Sequence, residues 1–181
     1  ESYISGPDSA VITSAYAEAK RMGETFCSVY KGQFRIPIVT LRPFAFIGPY
    51  QLIEKPWAIN NFINDAINGG PINILGDEST IRSYMYPSDM VNWILTVLCE
   101  GESGLVLNLG SPEGCTLREV ADMVCGCIPG ETVVISQTLN RKPKHSVFVP
   151  DISKAQEKLG LELSVSLQDA IKKTIEWLKL G

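Results

Sequence analysis

A mostly apolar stretch, IPIVTLRPFAFI at residues 36–47, decides how this 181-residue sequence is expected to fold. Its β-branched residues favour an extended chain, and a continuous apolar run of this kind is typical of a strand covered on both faces. Arg42 and Pro43 interrupt it, and Gly48-Pro49 ends it with a turn signal. The stretch therefore predicts a core strand buried on both faces.

Helical and strand-like segments alternate around this stretch. Apolar residues three or four apart predict a helix from Ala15 to about Lys31, with Gly32 at its end. The same spacing predicts helices over 58–68, 89–100, 116–127, 153–160 and 166–177, with short strands at 72–75 and 105–109. Such alternation is typical of α/β layering rather than of a helix bundle or a β-sandwich.

Polar residues mark several of the helix starts. Asp89 lies just after Pro87-Ser88 and is expected to cap the helix there. Capping-box pairs open three further helices: Thr116 with Glu119, Ser153 with Gln156, and Ser166 with Asp169.

Composition excludes several classes of protein. The 16 Lys and Arg residues against 20 Asp and Glu give a net charge of −4, and 45% of the residues are apolar. A disordered chain would hold fewer apolar residues, and a nucleic-acid partner would require clustered positive charge. Because no apolar run approaches the roughly 18 residues of a membrane span, we expect a soluble, cytoplasmic protein that contacts no membrane.

The five cysteines form an odd, unevenly spaced set, which predicts reduced and buried thiols. Cys125-Gly-Cys127 is the alternative, a metal-binding pair. It is disfavoured because the sequence has one histidine, His145, and no second cysteine pair. We therefore expect no metal site.

Tyr16 and Lys20 lie four residues apart on the first predicted helix, so their side chains share one face. An ammonium beside a phenol stabilises the phenolate and lowers the pKa of the tyrosine, which makes it a better base near neutral pH. The alternative is an ordinary surface tyrosine and lysine one turn apart. The spacing alone does not decide between them.

The wider context favours chemistry. The YAEAK helix is followed by RPFAFIGP, GDESTIRSYMYPSD, LVLNLGS and DISKAQEKLG in that order, over about residues 14–178. Together these motifs resemble the extended short-chain dehydrogenase/reductase family, specifically its NAD-dependent nucleotide-sugar epimerases and dehydratases. The YQLIEK segment after Gly48-Pro49 is most similar to the dTDP-glucose 4,6-dehydratase branch.

The resemblance implies roles for particular residues. Tyr16 would act as the base that helps form a transient 4-keto sugar, and Lys20 would lower its pKa and hold the nicotinamide ribose of NAD. The remaining implied contacts are Phe44 and Phe46 to the cofactor, and Ala45, Lys55, Arg82, Asn108 and Arg141 to the nucleotide sugar. Each polar residue has a structural alternative: a loop lysine for Lys55, a strand-end charge for Arg82, a turn former for Asn108 and a surface charge for Arg141.

Two departures from the family pattern stand out. Ala45 occupies a position where the family usually has an asparagine whose amide helps hold the substrate, so the sugar is held differently here or the substrate differs. The sequence also has no glycine-rich turn between a strand and a helix to bind the NAD pyrophosphate. With Glu1 in place of an initiating Met, this predicts a C-terminal part of such an enzyme, lacking the dinucleotide-binding half.

The expected fold is thus the C-terminal part of a Rossmann-like doubly wound α/β sheet with a small α/β substrate-binding domain. Residues 1–50 would be the remnant of the Rossmann domain, and 51–181 mainly the nucleotide-sugar domain, with some segments returning to the sheet. The resemblance implies a homodimeric parent enzyme and an inactive isolated chain. The alternatives are a non-catalytic nucleotide-sugar binding module and a domain that self-associates through its exposed sheet edge.

Overall fold

In a computed structural model, which describes residues 8, 10–128, 130, 133–136 and 146–180, the chain forms helices packed beside short strands. After a 3₁₀ turn at Ile12–Ser14, the helices are α1 Ala15–Phe34, α2 Ala58–Ile67, α3 Pro87–Glu100, α4 Leu117–Gly126, α5 Ser153–Leu159 and α6 Leu167–Leu178. The strands are β1 Thr40–Pro43, β2 Ile72–Leu75, β3 Ile81–Arg82, β4 Val106–Leu109, β5 Cys115–Thr116, β6 Val133–Ser136 and β7 Val147–Phe148. The predicted α/β layering is confirmed.

The described strands form three small sheets. β1 pairs with β4 in parallel, and β2 pairs with β6 in parallel. In the third sheet β3 is central, antiparallel to β5 and parallel to β7. The parallel pairs join segments far apart in the sequence, as crossover connections in an α/β fold require.

The stretch at residues 36–47 is less regular than predicted. The strand covers Thr40–Pro43 alone, and its last two residues are exposed, so the prediction of burial on both faces is wrong. The reason is that β1 pairs with β4 and with no other described strand. Beyond β1 the chain crosses to another partner, where Phe46 bridges Met85 in parallel.

Two hydrophobic clusters hold the elements together. The larger one packs α2, α4 and α6 against β2, with Ile63, Val120 and Ile171 fully buried. The smaller one surrounds Trp93 of α3, whose indole N–H donates to the carbonyl of Glu162 at 2.9 Å. In contrast, no residue of α1 is buried, although the helix forms as predicted and extends to Phe34.

The helix starts agree only in part with the sequence patterns. Thr116 and Glu119 form the predicted capping box, and the Ser166 side chain accepts from the backbone N–H of Asp169. Ser153 caps nothing, because it is already the first residue of α5 and the preceding Ile152 occupies the cap position. That capping prediction is wrong.

Asp89 is also not a cap. Tyr86 occupies the cap position of α3, and Asp89 lies in the first turn, 4% exposed. Its carboxylate instead accepts hydrogen bonds from the backbone N–H groups of Ser164 and Val165, both at 3.1 Å, and from the Ser164 hydroxyl. A buried carboxylate thus fastens α3 to the loop that precedes α6.

None of the five cysteines, all of which the structure describes, is in a disulfide, but the prediction that they are buried is wrong. Cys99 is exposed on α3 and the other four are partly exposed. Within the described ranges, no three His, Cys, Asp or Glu side chains gather to hold a metal ion. Nor does that part of the chain contain a helix with the length and hydropathy to span a membrane.

Replacing the buried carboxylate tests its role as a tether. Asp89→Ala removes a buried carboxylate that accepts three hydrogen bonds, so the free energy of unfolding in urea should fall by about 2–3 kcal/mol. Asp169→Ala is the matched control, since Asp169 has the same position in the first turn of α6 but is exposed. It should cost at most about 1 kcal/mol. Equal losses in the two variants would show that Asp89 acts only as a first-turn acid.

Candidate active site

A cavity of about 610 Å³ opens between the N-terminal end of α1, the end of β1 and the β5-β3-β7 sheet. Its walls are mainly aromatic and aliphatic, with a few polar groups, as in most small-molecule sites. Among the described residues it is lined by Tyr16, Pro43, Phe44, Ala45, Phe46, Gln51, Pro56, Trp57, Ala58, Ile59, Thr80, Arg82, Tyr84, Leu117 and Phe148.

Tyr16 enters this cavity from the first turn of α1. The Lys20 ammonium lies 5.4 Å from the centre of the Tyr16 ring, on the same face of the helix, as the spacing predicts. Lys20 is not among the lining residues, and Tyr16 is 73% exposed. The two side chains are therefore neighbours, but water surrounds most of the phenol.

The wall formed by residues 43–46 is held on both sides by backbone hydrogen bonds. Phe44 donates its N–H to Leu109, and the Ala45 carbonyl accepts from the N–H of Met85. The Phe44 ring stacks on Phe148 of β7 at 4.6 Å between ring centres, with 24° between the planes. This stack forms a flat aromatic surface in the cavity.

Gly110 allows the Phe44 ring to sit there. A Cβ atom at residue 110 would lie 3.0 Å from the Cβ of Phe44 and 2.9 Å from Pro150. Such distances are shorter than ordinary carbon contacts. Any larger residue at this position would push Phe44 out of place.

Arg82 is the described cation in the cavity wall. One of its terminal nitrogens donates to the carbonyls of Ile81 and Ser146, and the other donates to the Ser146 hydroxyl. Three of the five N–H donors of a guanidinium are thereby used. The other two are engaged by no described residue, so a half-buried, oriented positive charge remains available to an anion.

Tyr84 lies two residues beyond β3 and lines the same cavity. Burial raises the pKa of this phenol to about 12, because the ionised form would lose its water, while the positive charge of Arg82 acts in the opposite sense. Tyr84 therefore remains a neutral hydroxyl, able both to donate and to accept a hydrogen bond.

The structure brings together only some of the residues singled out in the sequence. Tyr16, Phe44, Ala45, Phe46 and Arg82 all line the cavity.

The others lie elsewhere. Lys55 is exposed and is not among the lining residues. The side-chain amide of Asn108 donates to the backbone carbonyl of Asp151 at 2.8 Å, which is a link between β4 and the chain before α5. Arg141 lies outside the described residues.

The lining residues that were not given roles by the sequence include Gln51, Trp57, Tyr84 and Phe148. Phe148 reaches the cavity through the parallel pairing of β3 with β7, in which it is opposite Arg82. No local pattern indicates that pairing. Trp57 and Gln51 belong to the irregular segment before α2. The one signal for a site there was a tryptophan outside the predicted helices and strands.

Comparison with known proteins places this arrangement in a family. The family model described as "NAD dependent epimerase/dehydratase family" matches residues 2–110. This chain belongs to the NAD-dependent epimerase/dehydratase family. It is 33% identical over 171 residues to UDP-glucuronic acid decarboxylase 6 of Arabidopsis thaliana, covering 94% of this chain and 49% of that protein.

Solved structures of the family share the fold. The chain is similar to UDP-glucose 4-epimerase of Thermotoga maritima, crystallised with UDP-glucose, with a TM-score of 0.80, 25% identity, and coverage of 91% of this chain and 53% of that one. It is also similar to a variant of Bacillus cereus UDP-glucuronic acid 4-epimerase in complex with a fluorinated UDP-sugar and NAD, with a TM-score of 0.71, 29% identity, and coverage of 87% and 50%. The Rossmann-like α/β class predicted from the sequence is confirmed.

These comparisons also show how much of a family member's length the chain spans. The chain spans about half the length of three UDP-glucuronic acid decarboxylases of Arabidopsis thaliana that it matches. The family is described as NAD dependent, and two of the similar solved structures are complexes with NAD, whereas the named reactions differ among decarboxylases, epimerases and dehydratases.

Because the Tyr84 phenol in this cavity is buried, we expect the stability of the fold to depend on pH. Unfolded tyrosine loses its proton from about pH 10, whereas folded Tyr84 keeps it to about pH 12, so the folded state binds more protons in this window. The Tyr84 contribution to stability is thus complete below pH 10. It should be lost progressively up to pH 12, by about 3 kcal/mol in all.

Urea unfolding at pH 9, 10.5 and 12 measures this loss. Tyr84→Phe should flatten the decline, whereas Tyr30→Phe, which removes an exposed phenol on α1, should leave the wild-type slope. A wild-type slope in Tyr84→Phe would mean that its phenol is not protected from ionisation.

Proposed function

We propose that this chain forms the substrate side of a nucleotide-sugar site in an NAD-dependent epimerase, dehydratase or decarboxylase. The observation that carries the proposal is the shared cavity, in which Tyr16, the Phe44 stack and Arg82 line one space of about 610 Å³. A nucleoside diphosphate sugar presents an anionic diphosphate, flat base and hydroxyl-bearing ring. The cavity offers a cation, an aromatic surface and a phenol.

Arg82 is the proposed diphosphate ligand. Its bonds to Ile81 and Ser146 fix the guanidinium plane, and an oriented guanidinium binds phosphate oxygens through charge-assisted hydrogen bonds. Arg141 is proposed from the family resemblance as a second cation. Lys55 and Asn108 are left out of the proposed site, because one lies outside the cavity wall and the other holds Asp151.

Tyr16 is the proposed base. Its phenolate would remove the proton from the sugar 4-hydroxyl as the C4 carbon is oxidised, giving a transient 4-keto sugar. The Lys20 ammonium, 5.4 Å from the ring, would stabilise the negative charge that forms on the phenol oxygen. A 4-keto sugar is common to epimerisation, dehydration and decarboxylation, so the proposal ends at this intermediate. The sequence resemblance favours the 4,6-dehydratase branch for the steps that follow.

NAD would supply the hydride acceptor for this oxidation when bound. The residues present fit one part of the cofactor: Tyr16, Phe44 and Phe46 line a partly aromatic wall, and Lys20 adjoins it. These side chains would border the nicotinamide and its ribose. The sequence contains no glycine-rich turn for the pyrophosphate, so these 181 residues supply only part of a dinucleotide site.

That partial fit supports a second candidate, a binding module that holds a nucleotide sugar without reacting with it. Tyr16 is 73% exposed. Water therefore screens the charge of the neighbouring Lys20 and competes for the Tyr16 hydroxyl. The side of the cavity that would bind substrate is better ordered by hydrogen bonds than the side that would perform chemistry. Binding without turnover is therefore the expected behaviour of the 181-residue chain.

Binding is tested by calorimetric titration of UDP, dTDP and UDP-glucose into the chain. Arg82→Met should weaken binding of all three by roughly 10- to 100-fold, since it removes a charged hydrogen-bond donor. Arg21→Met is the control, because Arg21 is an exposed α1 residue outside the cavity wall and should leave affinity unchanged. Absence of binding in the wild-type chain, or equal effects of both substitutions, would contradict the proposed site.

Turnover is a separate measurement. With NAD and UDP-glucose or UDP-glucuronic acid, the 181-residue chain should form no epimerised, dehydrated or decarboxylated sugar, measured by NMR, above the level of Tyr16→Phe. Clear, Tyr16-dependent formation of such a product would show that the phenol is activated despite its exposure, and would replace the binding module with an active enzyme.

A further inference from the structure

Tyr16, Lys20 and Glu24 follow one another in a row along α1. Steps of four residues place side chains on the same face of a helix, each about 6 Å further along it. Lys20 therefore has a neighbour on either side, the Tyr16 ring and the Glu24 carboxylate. Because an ammonium and a carboxylate four residues apart on a helix attract each other, Glu24 competes with Tyr16 for Lys20.

The structure places Lys20 with the tyrosine. Its ammonium lies 5.4 Å from the centre of the Tyr16 ring, and it forms no ion pair with a described residue. At an exposed site, a cation over an aromatic ring and a surface ion pair are of similar strength. What else binds Glu24 therefore decides which of the two contacts Lys20 makes.

Arg42 of β1 binds Glu24. Its Nε donates to one carboxylate oxygen at 2.7 Å, and its Nη2 donates to the other at 2.6 Å. Such a two-pronged pair is charge-assisted and matched in geometry, so it outcompetes a single ammonium for the same carboxylate. Glu24 is thus held by β1, while Lys20 is left beside Tyr16.

The position of Arg42 is set by the strand and not by the helix. In the parallel pairing of β1 with β4, Arg42 lies opposite Asn108. It directly precedes the cavity wall at residues 43–46, yet it is not itself among the lining residues. The strand that leads into one wall therefore supplies the guanidinium that binds Glu24 on the helix that carries Tyr16.

Arg21 is a second cation near Glu24, one turn before it on α1. Its positive charge contributes to lowering the pKa of the Glu24 carboxyl, although less than Arg42 does. Its guanidinium lies 3.9 Å from the carboxylate of Glu18. If Arg42 were removed, Arg21 and Lys20 would both attract the free Glu24 carboxylate, so a test has to remove Arg21 first.

We propose that Arg42 is a positioning residue that holds Glu24 and so leaves the Lys20 ammonium beside Tyr16. This rests on the proposed function, in which Lys20 stabilises the negative charge that forms on the Tyr16 oxygen. Arg42 then acts on the chemistry through two other side chains and not through the ligand.

NMR of the 181-residue chain measures the Lys20 contact directly, as nuclear Overhauser effects between the Lys20 ε-methylene and the Tyr16 ring. The reference is Arg21→Met, which should keep these effects because Arg42 still holds Glu24. Adding Arg42→Met should abolish most of their intensity and strengthen those from Lys20 to the Glu24 γ-methylene, because the carboxylate is then free to attract the ammonium. A third variant adds Glu24→Gln to these two. It should restore the Tyr16 effects, since glutamine carries no charge.

Undiminished Tyr16 effects after Arg42→Met, or no recovery with Glu24→Gln, would overturn the inference. Failure to recover would mean that the ion pair only fastens α1 to β1, because Glu24→Gln leaves that pair broken. If Arg42→Met does not fold, Arg42→Lys replaces it and should weaken the effects in part, since lysine makes no two-pronged pair. Unchanged effects in that variant would also contradict the inference. These measurements use no nucleotide, so their failure is distinguishable from an absence of UDP binding, which contradicts the proposed function.

Discussion

The backbone hydrogen bonds of residues 40–47 are the constraint on which the rest of the structure depends. Thr40 and Phe44 donate to Leu105 and Leu109 at 2.9 Å, which aligns β1 with β4. Three residues further, Ile47 donates to Met85 at 3.1 Å, and the chain has changed partners. Ile47 is fully buried in the larger hydrophobic cluster, whereas Met85 belongs to the smaller one. One short run therefore joins both clusters, and residues 43–46 become a cavity wall because they lie at the change.

Local patterns predicted the six helices and three of the seven described strands, because periodicity and turn residues are properties of neighbouring residues. They failed where a distant partner decided the outcome. The stretch at 36–47 was expected to be buried on both faces from its apolar composition, but burial depends on how many strands lie beside it. Asp89 is a residue type that often caps helices, yet its carboxylate contacts Ser164 and Val165, more than 70 residues away. Ser153 was misplaced by one residue, which is enough to lose a cap.

The candidate site shows the same difference between what local patterns predict and what distant partners decide. Tyr16, Phe44 and Arg82 follow from a resemblance carried by motifs, and the structure brings them to one cavity. Phe148 could not be found this way, because its position depends on β3 pairing with β7 across more than 60 residues. No sequence pattern singles out Gly110 either, although the space it leaves allows the Phe44 ring to stack on Phe148. Sequence motifs predicted the groups for chemistry, and tertiary pairing supplied the shape around them.

The two sides of the cavity differ in how firmly they are held. Arg82 and the 43–46 wall are fixed by hydrogen bonds to the backbone, and Tyr84 is desolvated. Tyr16 belongs to a helix with no buried residue, which is fastened to β1 by a two-pronged ion pair between Arg42 and Glu24 at 2.7 and 2.6 Å. Hydrogen bonding to Arg42 lowers the pKa of the Glu24 carboxyl and keeps the pair charged. Exposed ion pairs fix orientation but contribute little stability, and water screens the charges around them.

Recognition of a ligand needs only the well-held side, whereas proton transfer needs Tyr16 in a fixed and drier position. In the proposed function, binding and chemistry are therefore separable, because hydrogen bonds hold the proposed binding side of the cavity more firmly than they hold Tyr16.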